Sequence, residues 1–244
     1  MEDSNMEVTV MAMFHFKQLS DNALFVQFDA TTISEETHKV IQQASSQLQQ
    51  HPFPGLVEIV PSYTNFCVYY DPLVVRHQLT TRKAKTSAEK VQQYIETLLQ
   101  QPMPLSNKES RLIEIPVLYG GEFGPDLSEV AKQNGLTTQQ VIDIHTSRDY
   151  LVYMLGFAPG FPFLGGLDPR IATPRRATPR LEIAAGSVGI AGQQTGIYPL
   201  ATPGGWQIIG RTHTQLFLPE HTPPTLLRAG DRIRFVAIKE GSTC

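Results

Sequence analysis

The sequence predicts an α+β protein in which a small N-terminal α/β sandwich is followed by a closed, barrel-like β domain. The first half alternates strand-like and helical periodicity, whereas helical periodicity disappears after Ser147. The second half then consists of short apolar runs separated by glycine and proline, as is typical of closed β architectures. A polar, proline-containing stretch, 101–109, is the candidate linker. We therefore expect domains over 14–106 and 107–240.

The N-terminal half contains the strands and helices of the predicted sandwich. A helix is predicted over 33–50, with Ser34 as its N-cap and two prolines beyond its end. Thr86 and Glu89 have capping-box spacing and predict a second helix, whose apolar residues fall on one side. The predicted strands are 23–28, 56–60 and 65–70. Together these elements favour a sheet covered by helices on one face.

The C-terminal half opens with a strand, 112–118, and two short helices. Asp126 and Thr137 each lie three residues before Glu or Gln, which is the capping-box pattern of a helix start. His145 lies on the apolar side of the second helix, where a buried, hydrogen-bonded histidine is favoured over a catalytic one. The apolar runs that follow are predicted strands: 150–155, 181–184, 188–191, 206–209, 215–218 and 232–238.

Composition and charge argue against several classes of function. A formal net charge of -3 provides no basic surface for nucleic acid or for an anionic membrane. No apolar run approaches the ~20 residues that span a bilayer, and the N-terminus lacks the pattern of a secretory signal. The two cysteines form no disulfide framework, and no histidine pair has metal-binding spacing. We therefore expect a cytoplasmic protein without a metal site.

Glycine and proline concentrate in the segment 156–211. Of the 18 glycines and 18 prolines in the chain, eleven glycines and seven prolines lie between Gly156 and Gly210. Aromatic residues are interleaved with them throughout, which argues against disorder. Long ordered loops are frequent sites of function, so this segment is predicted to form a functional surface.

The choice of cation adds a second signal in the same segment. Between Gln133 and Ile238 there is no lysine, whereas arginine occurs nine times. Guanidinium groups suit carboxylate and phosphate oxygens, so a small anionic ligand is predicted. Pairing with surface acids remains the alternative for any single arginine. As a group the arginines are harder to explain in that way, because Asp168 and Glu182 are the only acidic residues of the segment.

Two short motifs resemble catalytic loops but lack the required context. The 205–212 segment has the spacing of a phosphate-binding loop with Arg211 in the lysine position, yet its interior is predicted as a strand. The 185–189 segment resembles a nucleophile elbow, but the glycines after Ser187 argue against the helix that an elbow needs. The sequence thus has several arginines but no nucleophile–base pair, which predicts that this chain contributes only part of a catalytic site.

Longer motifs form a pattern that covers residues 18 to 236. They include LGFAPGFPFLGGL at 155–167, TPRRATPR at 173–180, AGSVGIAGQQTGIYP at 185–199 and TPGGWQIIGRT at 202–212, with further matches at 53–61, 68–72 and 120–127. This pattern resembles the B-subunit family of prokaryotic 5-oxoprolinase, also known as allophanate hydrolase subunit 1 and kinase A inhibitor. Ala184 and His213 depart from it, since the family frequently has proline there. The resemblance implies a cyclophilin-like β-barrel after a small α+β domain.

The resemblance also implies a function. It implies an ATP-hydrolysing 5-oxoprolinase, a hydrolase that opens 5-oxo-L-proline to L-glutamate with subunits A and C, with ATP shared among the subunits and this chain inactive alone. Catalytic residues are not assigned. The matched positions able to bind substrate or phosphate are Arg175, Arg176, Arg180, Gln193, Gln194, Thr195, Tyr198, Trp206 and Arg211. Two alternatives stay open: inhibition of a sensor histidine kinase docked on the apolar loop 157–164, and a urea- or allophanate-processing carboxyltransferase-type enzyme.

Overall fold

A computed structural model describes residues 14–29, 34–81, 84–101 and 110–239. The chain divides into two units, Met1–Lys108 and Glu109–Cys244. The candidate linker lies outside the described residues except for Gln101, as does Ile33 at the predicted start of the first helix. None of the helices in the described ranges combines the length and the hydropathy needed to cross a membrane.

The N-terminal unit is built on an antiparallel sheet in the order β1-β2-β4-β3. Its elements are β1 (Phe14–Ser20), β2 (Ala23–Phe28), α1 (Glu35–Gln50), β3 (Leu56–Pro61), β4 (Asn65–Tyr70), α2 (Pro72–Gln78) and α3 (Ser87–Leu99). Alternate side chains of β2 and β4, such as Val26 and Val68, are fully buried and pack with Ile41 of α1 and Ile95 of α3. Because side chains alternate across a strand, one face of the sheet carries the core.

Local signals located most of these elements, and two were missed. Ser34 caps α1 by accepting a hydrogen bond from the Thr37 N–H, and Thr86 with Glu89 forms the predicted capping box. The missed β1 is an edge strand with mostly exposed side chains, so its hydrophobic alternation is weak. The missed α2 has only seven residues, too few to establish a helical period.

The C-terminal unit contains a closed barrel in the order β10-β7-β6-β13-β5-β12-β9. Its elements are β5 (Leu112–Tyr119), α4 (Leu127–Gln133), α5 (Thr138–Thr146), β6 (Asp149–Leu155), β7 (Pro162–Gly165), β8 (Arg180–Ile183), β9 (Ser187–Ala191), β10 (Gln194–Ile197), β11 (Thr202–Gly204), β12 (Gln207–Arg211) and β13 (Arg232–Ile238). Every neighbouring barrel pair is antiparallel except β5 with β13. β8 and β11 form a separate two-stranded sheet. The predicted α+β class with a barrel domain is confirmed.

Inward-facing side chains fill the barrel. Val188, Ile190 and Ile197 of β9 and β10 join Ile209 and Phe235 in one buried cluster. The alternation along β9 and β10 therefore turns Gly189 and Gly196 to the outer face, where they pair with each other across the two strands. A second cluster of buried residues lies on this outer face and is described below.

Two predictions for the C-terminal half were wrong. Residues 215–218 form no strand: Leu216 is buried in the core, while Phe217 makes only an isolated bridge to Thr225. Helix α4 begins after Asp126 as expected, but that side chain makes no capping hydrogen bond because other donors occupy it. By contrast, Thr137 forms the predicted capping box at the start of α5.

Candidate functional site

An aromatic cluster lies on the outer face of the barrel. Its ring-bearing members, hereafter the aromatic cluster, are Phe157, Phe161, Phe163, Tyr198 and Trp206. Trp206 lies over the Gly189–Gly196 pair, since a Cβ added at Gly189 would come within 3.2 Å of the Trp206 Cβ and one at Gly196 within 3.1 Å of its Cζ3. The absence of side chains at these two positions gives the indole its place against the barrel wall.

Gly196→Ala is expected to destabilise the barrel unit by roughly 1–3 kcal/mol, the usual cost of overpacking. The added Cβ would lie 3.0 Å from the Pro162 carbonyl oxygen and 3.1 Å from both the Phe161 and Trp206 rings. Trp206 is the only tryptophan, so urea unfolding followed by its fluorescence measures the change.

Gly205→Ala is the matched control for that substitution. It lies beside the same indole, but its Cβ would meet nothing closer than 3.6 Å. Equal unfolding midpoints for the two variants would show that the glycine pair does not set the position of Trp206.

Phe157 stands apart from the other rings of the aromatic cluster. It is 67% exposed and has a φ of 66°, in the left-handed region that residues with a Cβ rarely adopt. Its ring meets Phe161 and Tyr198 edge-on, at centroid distances of 5.4 and 6.4 Å. Backbone strain of this kind persists where the surrounding structure enforces it and is frequent at functional sites. Because Phe161 and Leu164 are buried, the apolar surface of the loop 157–164 is smaller than its sequence indicates.

Asp126 binds two of the predicted ligand-binding arginines. Its carboxylate, in a residue only 4% exposed, accepts hydrogen bonds from Arg176 Nη1 at 2.9 Å and from both terminal nitrogens of Arg180 at 2.8 Å. A fourth hydrogen bond comes from the Ile208 N–H at 2.7 Å. Hydrogen bonding to this carboxylate raises the pKa of Arg180. Asp126 thereby ties the Arg176 loop and the start of β8 to β12. The sequence did not indicate this role, because Asp126 lies outside the segment 156–211.

Most other arginines of the C-terminal unit are also paired with acids. The pairs are Arg148 and Arg170 with Asp168, Arg111 and Arg228 with Asp231, and Arg234 with Asp149. The hydrogen bond from the Arg170 side chain is the main reason why the pKa of Asp168 lies well below its usual range. For these arginines the pairing alternative is the better explanation of their abundance.

Arg175 and Arg211 differ from that group. The Arg211 Nε donates to the Ala185 carbonyl oxygen at 3.0 Å. Arg175 is exposed, and its guanidinium makes no hydrogen bond or ion pair with any residue in the described ranges. Among the predicted ligand-binding arginines, Arg175 therefore has the guanidinium most available to a ligand.

The structure separates the other predicted site residues into three places. Gln193 is exposed at the turn between β9 and β10, and Gln194 next to it is half-buried. Thr195 is fully buried inside the barrel. Tyr198 and Trp206 lie in the aromatic cluster, beside the arginine loop. The nine predicted residues are thus not one cluster, and the group brought together is Tyr198, Trp206 and the arginines 175, 176 and 180.

The Tyr198 hydroxyl connects the aromatic cluster to the arginine loop. It lies so close to Gly204 that a Cβ there would be 2.5 Å from Oη. Burial raises the pKa of Tyr198, while a hydrogen bond with the Trp206 backbone and the charges of Arg175 and Arg180 act in the opposite direction. Tyr198 is itself buried, so the groups that reach the surface here are the Arg175 guanidinium and the Phe157 ring.

His145 forms a sealed network inside the barrel, as its position in the sequence predicted. Tyr119 Oη lies 2.7 Å from Nδ1, and Thr195 Oγ1 lies 2.9 Å from Nε2. Since Thr195 donates its own proton to the Gly189 carbonyl oxygen, Nε2 must donate and Nδ1 must accept from Tyr119. Burial lowers the pKa of His145 to about 3, so the imidazole is neutral. This histidine is part of the core.

Neither near-match motif has the geometry of a catalytic loop, as predicted. The segment 205–212 contains strand β12, so its backbone does not curl around a phosphate. Ser187 is buried at the first position of β9, and a strand follows it where an elbow needs a helix. Within the described part of the chain, no group of three or more His, Cys, Asp or Glu side chains is arranged to hold a metal ion.

Solved structures share this fold. PH0987 from Pyrococcus horikoshii is 42% identical, with a TM-score of 0.53 over 93% of this chain and 98% of that one. TTHA0988 is 34% identical, with a TM-score of 0.75 over 91% of this chain and 41% of that one, so this chain spans less than half of TTHA0988. The Kluyveromyces lactis urea carboxylase, at 19% identity and a TM-score of 0.71, shares the fold over 94% of this chain and 22% of that one.

Sequence comparison establishes the family. The family model for the carboxyltransferase domain, subdomain C and D, matches residues 14–227. The 5-oxoprolinase B subunit of Bacillus subtilis (strain 168) is 49% identical over 227 residues, which cover 93% of this chain and 94% of that protein. The 5-oxoprolinase B subunit of Escherichia coli O157:H7 is 49% identical over 188 residues, covering 77% and 81%. The chain belongs to the carboxyltransferase subdomain C and D family and, within it, to the B subunits of 5-oxoprolinase.

Proposed function

We propose that this chain is the B subunit of a cytoplasmic, ATP-hydrolysing 5-oxoprolinase, which opens 5-oxo-L-proline to L-glutamate together with subunits A and C. The observation that carries the proposal is its 49% identity to the Bacillus subtilis protein over almost the whole length of both chains. The character of the site supports it, because a single available guanidinium beside aromatic rings suits a small ring that bears one negative charge.

The chemistry explains why ATP is needed. A five-membered lactam is a stable amide, and its carbonyl carbon is a poor electrophile until the oxygen is activated. Transfer of the terminal phosphoryl group of ATP to that oxygen releases ADP. One water then adds to the activated carbon, the C–N bond breaks, and a second water releases phosphate to leave glutamate. The negative charge that develops on oxygen needs positioned donors. Because Arg176 and Arg180 are occupied by Asp126 and Gln193 lies apart at the β9–β10 turn, we assign most of these donors to the partner subunits.

The site accounts for only part of this reaction. Its accessible groups are the Arg175 guanidinium and the Phe157 ring, while Tyr198, His145 and Ser187 are buried. Since the segment 205–212 is a strand, we assign most of the nucleotide contacts to subunits A and C. The functional unit is accordingly the assembly, and this chain alone is expected to be inactive.

Reconstitution tests the proposal. This chain is mixed with purified subunits A and C, and 5-oxoproline-dependent release of phosphate and glutamate is measured with each component omitted in turn. We expect turnover with all three components, loss of turnover when this chain is left out, and none from this chain alone. Phosphate release stimulated by urea instead of 5-oxoproline would assign the chain to a urea-processing enzyme and reject the proposal.

A further inference from the structure

We propose that Arg175 binds the carboxylate of 5-oxo-L-proline, whereas Arg176 and Arg180 are structural residues that hold the Arg175 loop in place through Asp126. This inference rests on the proposed function. It gives different roles to three arginines that are alike in the sequence and lie within six residues of one another.

Arg176 and Arg180 are already engaged by the protein itself. Their guanidinium groups donate to one carboxylate at 2.8 to 2.9 Å, and Asp126 is almost completely buried. A ligand that captured these two groups would leave a buried carboxylate without its counter-charges, which is strongly unfavourable. Arg176 and Arg180 are consequently poor candidates for binding the substrate.

Arg175 is held by its backbone while its side chain is left available. On one side of it, the Pro174 carbonyl oxygen accepts a hydrogen bond from Gln207 Nε2 at 3.0 Å. On the other side, the Arg176 N–H donates to the Gly205 carbonyl oxygen at 2.8 Å. Both partners flank Trp206, so Arg175 is fixed beside the aromatic cluster before any ligand arrives. Such preorganisation reduces the entropy lost on binding.

Arg175 and Phe157 offer the substrate a positive charge and an apolar surface. A guanidinium binds a carboxylate through two parallel hydrogen bonds, which neutralises the single charge of 5-oxoproline. The Tyr198 hydroxyl lies beside the adjoining Gly204, and the exposed Phe157 ring stands edge-on to Tyr198. Since Tyr198 is buried, the exposed Phe157 ring is the group that can contact the methylene groups of the lactam ring. We assign Arg175 to the carboxylate rather than to phosphate because a phosphoryl group requires several converging donors.

The test compares 5-oxo-L-proline with 2-pyrrolidinone, the same lactam without the carboxylate, in the reconstituted assembly. For Arg175→Ala we expect kcat/KM for 5-oxoproline to fall roughly 100-fold, the loss expected for a charged hydrogen-bond partner. Turnover of 2-pyrrolidinone and the KM for ATP should stay unchanged. Arg234→Ala, which removes an exposed arginine paired with Asp149, is the matched control and should change none of these values.

Each outcome has a distinct meaning. A raised KM for ATP with an unchanged KM for 5-oxoproline would show that Arg175 binds the nucleotide and would overturn the inference. This outcome can be measured even if 2-pyrrolidinone is too poor a substrate for the assay. Normal kinetics of Arg175→Ala in an active assembly would also overturn it and leave the proposed function intact. If the wild-type assembly does not turn over 5-oxoproline, the proposed function itself is wrong. Thermal unfolding gives an independent check, since Arg175→Ala should keep the wild-type Tm and Arg180→Ala should lower it.

Discussion

Replacing Asp126 by asparagine is expected to lower the free energy of unfolding of the barrel unit by about 3 kcal/mol. The substitution keeps the shape of the side chain but removes the charge that Arg176 and Arg180 share, and the new amide group turns a donor toward one of them. Breaking a buried ion pair typically costs about 3–5 kcal/mol. We take the lower end because the two arginine side chains are 36% and 26% exposed, so solvent screens part of the interaction.

Urea unfolding followed by Trp206 fluorescence measures this effect in the barrel unit, because no tryptophan lies in the N-terminal unit. Asp149→Asn is the control, since it breaks an ion pair whose side chains are 28% and 44% exposed and should cost under about 1 kcal/mol. Equal losses for the two variants would show that the ion pairs of Asp126 stabilise the unit no more than an exposed ion pair does. The same variant should also raise the KM for 5-oxoproline, because Arg175 would lose the support of its neighbours.

The fate of Asp126 shows what sequence patterns can predict. Ser34, Thr86 and Thr137 cap helices as predicted, since a capping interaction involves residues only three positions apart. Asp126 has the same local pattern, but its partners lie 50 and 54 residues later, and these charged donors displace the capping interaction. Local chemistry therefore predicted where α4 begins but not what the carboxylate does.

The same limit applies to the candidate site. The segment rich in glycine, arginine and aromatic residues contains the aromatic cluster, and long motifs correctly indicated the family. Sorting the residues needed tertiary contacts: Arg175 and Arg176 are adjacent, yet one is available and the other binds a buried acid. The Gly189–Gly196 pair could not be recognised either, because its effect depends on the register of β9 with β10.

Acid is expected to destabilise the barrel unit well above the pH range in which carboxylates titrate. Burial lowers the pKa of His145 to about 3 in the folded protein, whereas a histidine in the unfolded chain has a pKa of about 6.5. Between these values the unfolded chain binds a proton that the folded chain does not. The stabilisation is therefore fully present above about pH 6.5 and is lost as the pH falls toward 3. At about 1.4 kcal/mol per pH unit, moving from about pH 6.5 to about pH 5 should cost roughly 2 kcal/mol.

The structure explains why a proton is not tolerated at His145. The ring is fully buried, is stacked on Phe235 at a centroid distance of 4.5 Å, and already has a donor, the Tyr119 hydroxyl, directed at Nδ1. Protonation would set two donors against each other in a site without a carboxylate hydrogen bond to the ring. Urea unfolding by Trp206 fluorescence at about pH 7 and about pH 5 measures the loss, with His145→Gln as the variant that cannot protonate and should show a flatter profile.

A second measurement keeps this prediction testable if His145→Gln does not fold. Nuclear magnetic resonance titration of the wild-type protein should show no protonation of His145 down to about pH 4, whereas a histidine in a short peptide titrates near about 6.5. A His145 resonance that titrates with a midpoint at about pH 6 would contradict the sealed network. Because Thr195 and Tyr119 hold the two ring nitrogens, such a result would also mean that the β10 wall behind the aromatic cluster is open to solvent.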